Sequence, residues 1–175
     1  GYTAQPTLLD LNGDGHPDLV VGNCVGNVKV WLNSGTNTFP TEATGSDNPF
    51  NGIDVGYYAA PTFLDLNGDG HPDLVVGNFD GNLKVCWNSG TNTFPTEATG
   101  RDHPFNGIAV GYKAQPTFLD LNGDGHPDLV VGNSVGNVKV WWNRGTNTFP
   151  TEATGRADLH NGSGAGSRSV CFFLF

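Results

Sequence analysis

The chain has 175 residues, with 17 Asp and Glu against only eight Lys and Arg, for a net charge of -9. The few basic residues never cluster, so nucleic-acid binding through phosphate neutralisation is excluded, and no apolar run approaches the roughly 20 residues of a membrane helix. The 26 glycines and 11 prolines exclude a coiled coil or helical bundle and require many turns.

No methionine and no basic leader segment precede the body of the sequence, so a mature or trimmed product is expected. Self-comparison shows one phrase opening at Gly1, Gly56 and Gly111, a period of 55 residues. It divides the chain into repeat 1 (1–55), repeat 2 (56–110), repeat 3 (111–156) and a divergent Gly/Ser-rich tail (157–175). Within repeat 1, Pro6 to Leu11 reads as a short strand that enters a Gly/Asn/Asp turn. Asp18 to Gly22 leaves that turn as a β-branched strand, and Val28 to Leu32 alternates as a third. A fourth begins at Thr38 to Thr41, where Pro40 confines it to an edge or a strand end. No helical period appears. The expectation is an all-β chain of three tandem, four-stranded antiparallel blades of the β-propeller type.

The strongest chemical signal is D-L-N-G-D-G-H-P-D at 10–18, 65–73 and 120–128. Ca²⁺ takes six to eight oxygens at about 2.3–2.6 Å, and Asp, Asn and Asp at alternate positions aim oxygen donors at one centre. Glycine at the sixth position permits the sharp turn, the seventh offers a backbone carbonyl, and Asp at the ninth closes the site. An EF-hand is excluded, because its twelfth position needs Glu and here holds Val21, Val76 or Val131. Charge agrees with a metal. Nine of the 17 acids lie in these loops, and the other eight are balanced by the eight bases. Such clusters repel one another without a cation. The alternative is an Asp/Asn/Gly hairpin turn satisfied by its own backbone; its recurrence in register three times argues against chance. Mg²⁺ suits the loop less well, preferring a rigid octahedron and retained waters.

With P-T-[LF] before it and L-V-V-G-N after it, the loop resembles the FG-GAP/VCBS repeat of integrin α-subunit propellers and of many secreted microbial and algal proteins. The resemblance covers residues 1 to about 156 and departs at the Phe-Gly/Gly-Ala-Pro signature, here Tyr2-Thr3-Ala4-Gln5-Pro6. It implies Ca²⁺ in each hairpin loop, three sites in all. The implied ligands are Asp10, Asn12, Asp14, the His16 carbonyl and Asp18. They recur as Asp65, Asn67, Asp69, His71 and Asp73, and as Asp120, Asn122, Asp124, His126 and Asp128.

The side chains of His16, His71 and His126 are expected to face solvent. No Ser or Cys nucleophile recurs beside them, so an enzyme is not expected. Trp31, Trp87, Trp141 and Trp142 sit on or beside the third strand, either as packing between blades or as sugar-stacking platforms. Trp31 aligns with Cys86, so one repeat lacks the ring. Cys24, Cys86 and Cys171 fall out of register, which is no disulfide framework. Asn161-Gly162-Ser163 is a glycosylation sequon.

Propellers close with about four to eight blades, so three leave open ends. Ser169 to Phe175 is an apolar segment suited to completing a sheet in this chain or in a neighbour. Self-association as a closed ring or a head-to-tail filament is therefore expected. The functional expectation is an extracellular or cell-surface, non-enzymatic calcium-binding structural or adhesive protein. The alternative is a calcium-dependent lectin binding glycan between blades.

Overall fold

A computed structural model describes residues 3–36, 39, 41–90, 93–94, 96–145, 149 and 152–153. The tail, with Asn161, Cys171 and the segment from Ser169 to Phe175, lies outside the described residues.

Repeat 1 forms β1 (Gln5–Leu9), β2 (Asp18–Gly22), β3 (Val28–Trp31) and β4 (Glu42–Ala43), in the order β1-β2-β3-β4. Repeat 2 forms β5 (Ala60–Leu64), β6 (Asp73–Gly77), β7 (Leu83–Trp87) and β8 (Thr96–Glu97), again in chain order. Repeat 3 forms a three-stranded sheet of β9 (Gln115–Leu119), β10 (Asp128–Gly132) and β11 (Val138–Trp141). Among the described residues its fourth member is an isolated bridge between Trp141 and Glu152. All neighbours are antiparallel. The outcome is an all-β fold of three open sheets.

The middle strands form where the sequence reads Asp-Leu-Val-Val-Gly, a β-branched run bounded by turn residues. Register places the acidic loops. Leu9 pairs with Asp18, Leu64 with Asp73 and Leu119 with Asp128, so each loop closes a hairpin. Thr38 and Pro40 of the expected start of the fourth strand lie outside the described residues; the strand is described at Glu42–Ala43. There Glu42 pairs with Trp31 and takes a 2.7 Å ion pair from Lys29. Lys84–Glu97 and Lys139–Glu152 repeat that ion pair at 3.3 Å.

Two apolar clusters bridge successive repeats. Val20, Val28 and Val30 of repeat 1 pack with Leu74, Val76 and Cys86 of repeat 2. Val75, Leu83 and Val85 pack with Leu129, Val131 and Trp141 in the same way. Each junction is plugged by the connecting segment: Phe50 meets Phe94 at 4.8 Å and Phe105 meets Phe149 at 5.1 Å between ring centroids.

Backbone hydrogen bonds repeat at both junctions. Ala59 N–H donates to the Asn23 carbonyl at 3.0 Å, and Ala114 N–H to the Asn78 carbonyl at 2.9 Å. Tyr58 N–H donates to the Cys24 carbonyl at 3.2 Å, and Lys113 N–H to the Phe79 carbonyl at 2.8 Å. Tyr58 and Lys113 hold φ of 61° and 59°, and Thr3 at the same position of repeat 1 holds 56°, so this left-handed residue belongs to the opening of every repeat. Glycine is required opposite: a Cβ on Gly22 would overlap the Ala59 carbonyl, and one on Gly77 the Ala114 carbonyl.

Candidate metal centre

Each acidic loop folds around its first carboxylate. Asp10 Oδ1 accepts from Gly13 N–H at 2.8 Å and Asp14 N–H at 3.2 Å, and Oδ2 accepts from Gly15 N–H at 2.8 Å. Asn12 Oδ1 accepts from Asp14 N–H, Asn12 Nδ2 donates to Asp14 Oδ2, and Asp14 Oδ1 accepts from His16 N–H. Gly13 and Gly15 supply the φ of 73° and 85° that this wrap needs. The same bonds recur around Asp65, Asn67 and Asp69, and around Asp120, Asn122 and Asp124. The structure therefore gathers the first, third and fifth positions of each loop, the first half-buried and the other two exposed.

The ninth position is set deeper. Asp18, Asp73 and Asp128 are fully buried. Asp18 Oδ2 accepts from Leu11 N–H at 2.9 Å and Oδ1 from Asn33 N–H at 2.7 Å. Asp73 joins Leu66 to Asn88, and Asp128 joins Leu121 to Asn143. These carboxylates tie the start of the loop to the exit of the third strand.

Asn33, Asn88 and Asn143 form a layer that motif spacing alone did not single out. They are buried; each donates Nδ2 to the carbonyl of Pro17, Pro72 or Pro127 and accepts from Gly35, Gly90 or Gly145 N–H. The signal was present in the sequence, since Asn follows the third strand in all three repeats.

The histidines are exposed as expected, but their rings do not stand free. An ideal Cβ on Gly35 would lie 2.7 Å from His16 Nε2, one on Gly90 3.1 Å from His71 Nε2, and one on Gly145 2.9 Å from His126 Nε2. Each imidazole thus covers a glycine of the following turn, and its loop contribution is confined to the backbone.

Among the described residues, no three His, Cys, Asp or Glu side chains form a group that holds a metal by themselves. The donor chemistry is instead carboxylate, amide and backbone carbonyl, an all-oxygen set that fits a hard cation. N–H donation by His71, with help from the Asn67 side chain, holds the Asp69 carboxyl below its usual value. N–H donation by Gly125, Gly123 and Asp124 does the same for Asp120. Burial pushes Asp73 up, against the N–H groups of Asn88 and Leu66 and with the negative Asp69 and Asp65 nearby.

The tryptophans divide. Trp141 is buried in the junction of repeats 2 and 3, Trp87 packs against that junction, and Trp142 packs on the valine cluster of repeat 3. Trp31 is half-buried. Cys24 and Cys86 are free thiols, and burial pushes Cys86 up to about 11. Among the described residues no helix is long and apolar enough to cross a membrane.

Comparison with known proteins agrees with this geometry. The FG-GAP-like repeat matches residues 10–74, 65–114 and 120–173. Human integrin alpha-7 is 31% identical over 194 aligned positions, covering 99% of this chain and 16% of the integrin. A bovine phosphatidylinositol-glycan-specific phospholipase D is 30% identical over 151 positions, 73% of this chain and 18% of that protein. The chain thus spans under a fifth of the length of these relatives. Among solved structures, an Agrocybe aegerita lectin described as recognising non-reducing terminal N-acetylglucosamine superposes with a TM-score of 0.49. It is 28% identical and covers 85% of this chain and 37% of that one. On the repeat matches and the integrin identity, the chain belongs to the FG-GAP-like repeat family.

Proposed function

We propose that the chain is an extracellular, non-enzymatic calcium-binding module of structural or adhesive type. Its repeats act as propeller blades, and it assembles with other copies of itself. One observation carries the reading: a loop of clustered oxygen donors built three times with the same hydrogen bonds, from Gly13 to Asp10, Gly68 to Asp65 and Gly123 to Asp120 at 2.8, 2.7 and 2.7 Å. Calcium at Asp10, Asn12, Asp14, the His16 carbonyl and Asp18, and at the equivalent positions of the other repeats, would neutralise the loops and stiffen each hairpin. Extracellular calcium, in the millimolar range, saturates even weak sites of this kind. The integrin relatives support the adhesive, non-enzymatic reading.

Thermal unfolding with 2 mM Ca²⁺ and with EDTA tests it; 2 mM is about the extracellular level. A ligand present at about 100 times its Kd stabilises by roughly 2.7 kcal/mol per site, so the midpoint rises by several degrees in calcium. Identical midpoints in both buffers would overturn the proposal.

A carbohydrate-binding reading has one observation in its favour. Tyr112 is 61% exposed and stacks on Phe79 at 5.4 Å, which in turn stacks on Tyr58 at 5.4 Å. Repeat 1 has Cys24 in place of Phe79, so this ladder is unique to the second junction. A glycan array on the chain and on Tyr112→Ala decides it: saturable signal lost in the variant supports the lectin, and no signal removes it.

A further inference from the structure

One face of repeat 1 is uncovered at the positions that repeats 2 and 3 bury. Leu74, Val76, Cys86 and Phe94 are nearly inaccessible, as are Leu129, Val131, Trp141 and Phe149. Their counterparts Leu19, Val21, Trp31 and Phe39 are only half-buried. On the adjoining strand, Ala59 and Ala114 are buried whereas Ala4 is exposed, and Pro61 and Pro116 are buried whereas Pro6 is exposed. Leu8 is 59% exposed where Phe63 and Phe118 pack against the connecting Phe50 and Phe105.

The complementary edge lies on repeat 3. Gly22 and Gly77 are met by the Ala59 and Ala114 carbonyls of the following repeat, so neither has room for a Cβ. Gly132 is their equivalent, and among the described residues nothing lies within 4 Å of a Cβ built there. Beside it, the carbonyls of Asn133 and Ser134 occupy the positions of those of Asn23 and Cys24, which accept from Ala59 and Tyr58 N–H. Val135 at this edge is 65% exposed.

We infer that the leading face of repeat 1 (Ala4, Pro6, Leu8, Leu19, Val21, Trp31) packs head-to-tail on the Gly132–Ser134 edge of a second copy of this chain. The interface continues one the chain already builds twice. Ala4 N–H would donate to the Asn133 carbonyl of the other copy, as Ala59 does to Asn23 and Ala114 to Asn78. The occupant is a copy of this chain because the junction chemistry is self-matching: the same Ala-x-Pro strand meets the same Val-Gly-Asn turn at both internal junctions. The contact is heterologous, so it propagates from copy to copy until a ring closes or a filament grows. This inference rests on the self-assembly part of the proposed function and supplies its surfaces.

Two variants separate the halves. Gly132→Ala fits the described part of the chain, since its Cβ meets none of those residues within 4 Å and its φ is not in the left-handed region, yet it blocks an incoming Ala4 carbonyl. Leu8→Glu places a charge at an exposed position of the single chain and in the middle of the inferred contact. Mass is read by light scattering on a sizing column in 2 mM Ca²⁺, about the extracellular level, with circular dichroism confirming that each variant is folded.

The wild-type chain is expected to exceed its 18.5 kDa monomer mass, and each variant alone to run as a monomer. Their mixture is expected to stop at two chains, because only the leading face of Gly132→Ala and the trailing edge of Leu8→Glu remain competent. A wild-type chain that is monomeric at every concentration removes self-assembly itself. A wild-type assembly retained in folded Gly132→Ala and Leu8→Glu leaves self-assembly standing and overturns this interface.

Discussion

The Asn33 backbone N–H donates to the buried Asp18 carboxylate at 2.7 Å, 15 residues back along the chain, and the Asn33 amide returns a bond to the Pro17 carbonyl at 3.1 Å. This reciprocal pair fastens the acidic loop to the end of β3, and it recurs as Asn88 with Asp73 and Asn143 with Asp128. The ninth loop position thus has a task in the fold before any metal binds.

Replacing that carboxylate should therefore destabilise the chain even in EDTA. Asp18→Ala removes the carboxylate to which the N–H groups of Leu11 and Asn33 donate, at about 1–3 kcal/mol for each bond lost. Urea unfolding in EDTA should show a loss of about 2–6 kcal/mol on that basis. Asp14→Asn, at an exposed position, should leave EDTA stability nearly unchanged and weaken only the response to calcium. Equal losses in EDTA for the two variants would contradict this division.

The junction glycines make a paired prediction. Gly77→Ala forces a methyl into the Ala114 carbonyl and the Pro116 ring, 2.7 Å from its Cδ. Overpacking of this kind costs about 1–3 kcal/mol. Gly132→Ala meets nothing among the described residues, so its expected cost is near zero in the single chain. Thermal midpoints measured in dilute solution check the contrast, and equal shifts for both would refute the junction geometry.

The loop carboxylates should titrate apart in the calcium-free chain. Asp69 and Asp120 are held below the usual value by backbone N–H donors, and Asp73 is pushed above it by burial. The signs then differ. The contribution of Asp69 and Asp120 is present above the ordinary Asp value and is lost as pH falls through their lowered values. That of Asp73 favours the fold below the ordinary value and is lost as pH rises through its raised one. Carboxyl ¹³C shifts followed from pH 2 to pH 7 (roughly the range over which folded-protein carboxyls titrate) should give Asp73 the highest midpoint of the three. A midpoint for Asp73 below that of Asp69 would contradict the burial.

The thiols should also separate. Cys86 is buried with its thiol pushed up to about 11, so it should resist iodoacetamide near neutral pH in the folded chain, where the thiolate is the reactive form. Cys24, half-buried in a turn, should alkylate first. Peptide mapping after brief treatment reads both, and equal modification of Cys86 in folded protein would contradict its placement.

Much of this fold was legible from local pattern. The run Asp-Leu-Val-Val-Gly is β-branched between turn residues, and the structure makes it β2, β6 and β10. The acidic loops were legible because alternating Asp and Asn among glycines have few other uses. The extent of the fourth strand was not legible, because only two residues pair and the Lys29–Glu42 contact beside them is tertiary, which no period reveals. The sequence also gives no sign that Gly22 lies against the Ala59 carbonyl, since that contact involves backbone and an absent side chain. The histidine rings over Gly35, Gly90 and Gly145 escaped for the same reason.

Calorimetric titration of calcium into the metal-free chain tests the central claim most directly. The account predicts three equivalents per chain, falling to two in Asp69→Ala. No saturable heat, or a stoichiometry unchanged by Asp69→Ala, would contradict it and leave the loops as hairpin turns satisfied by their own backbone.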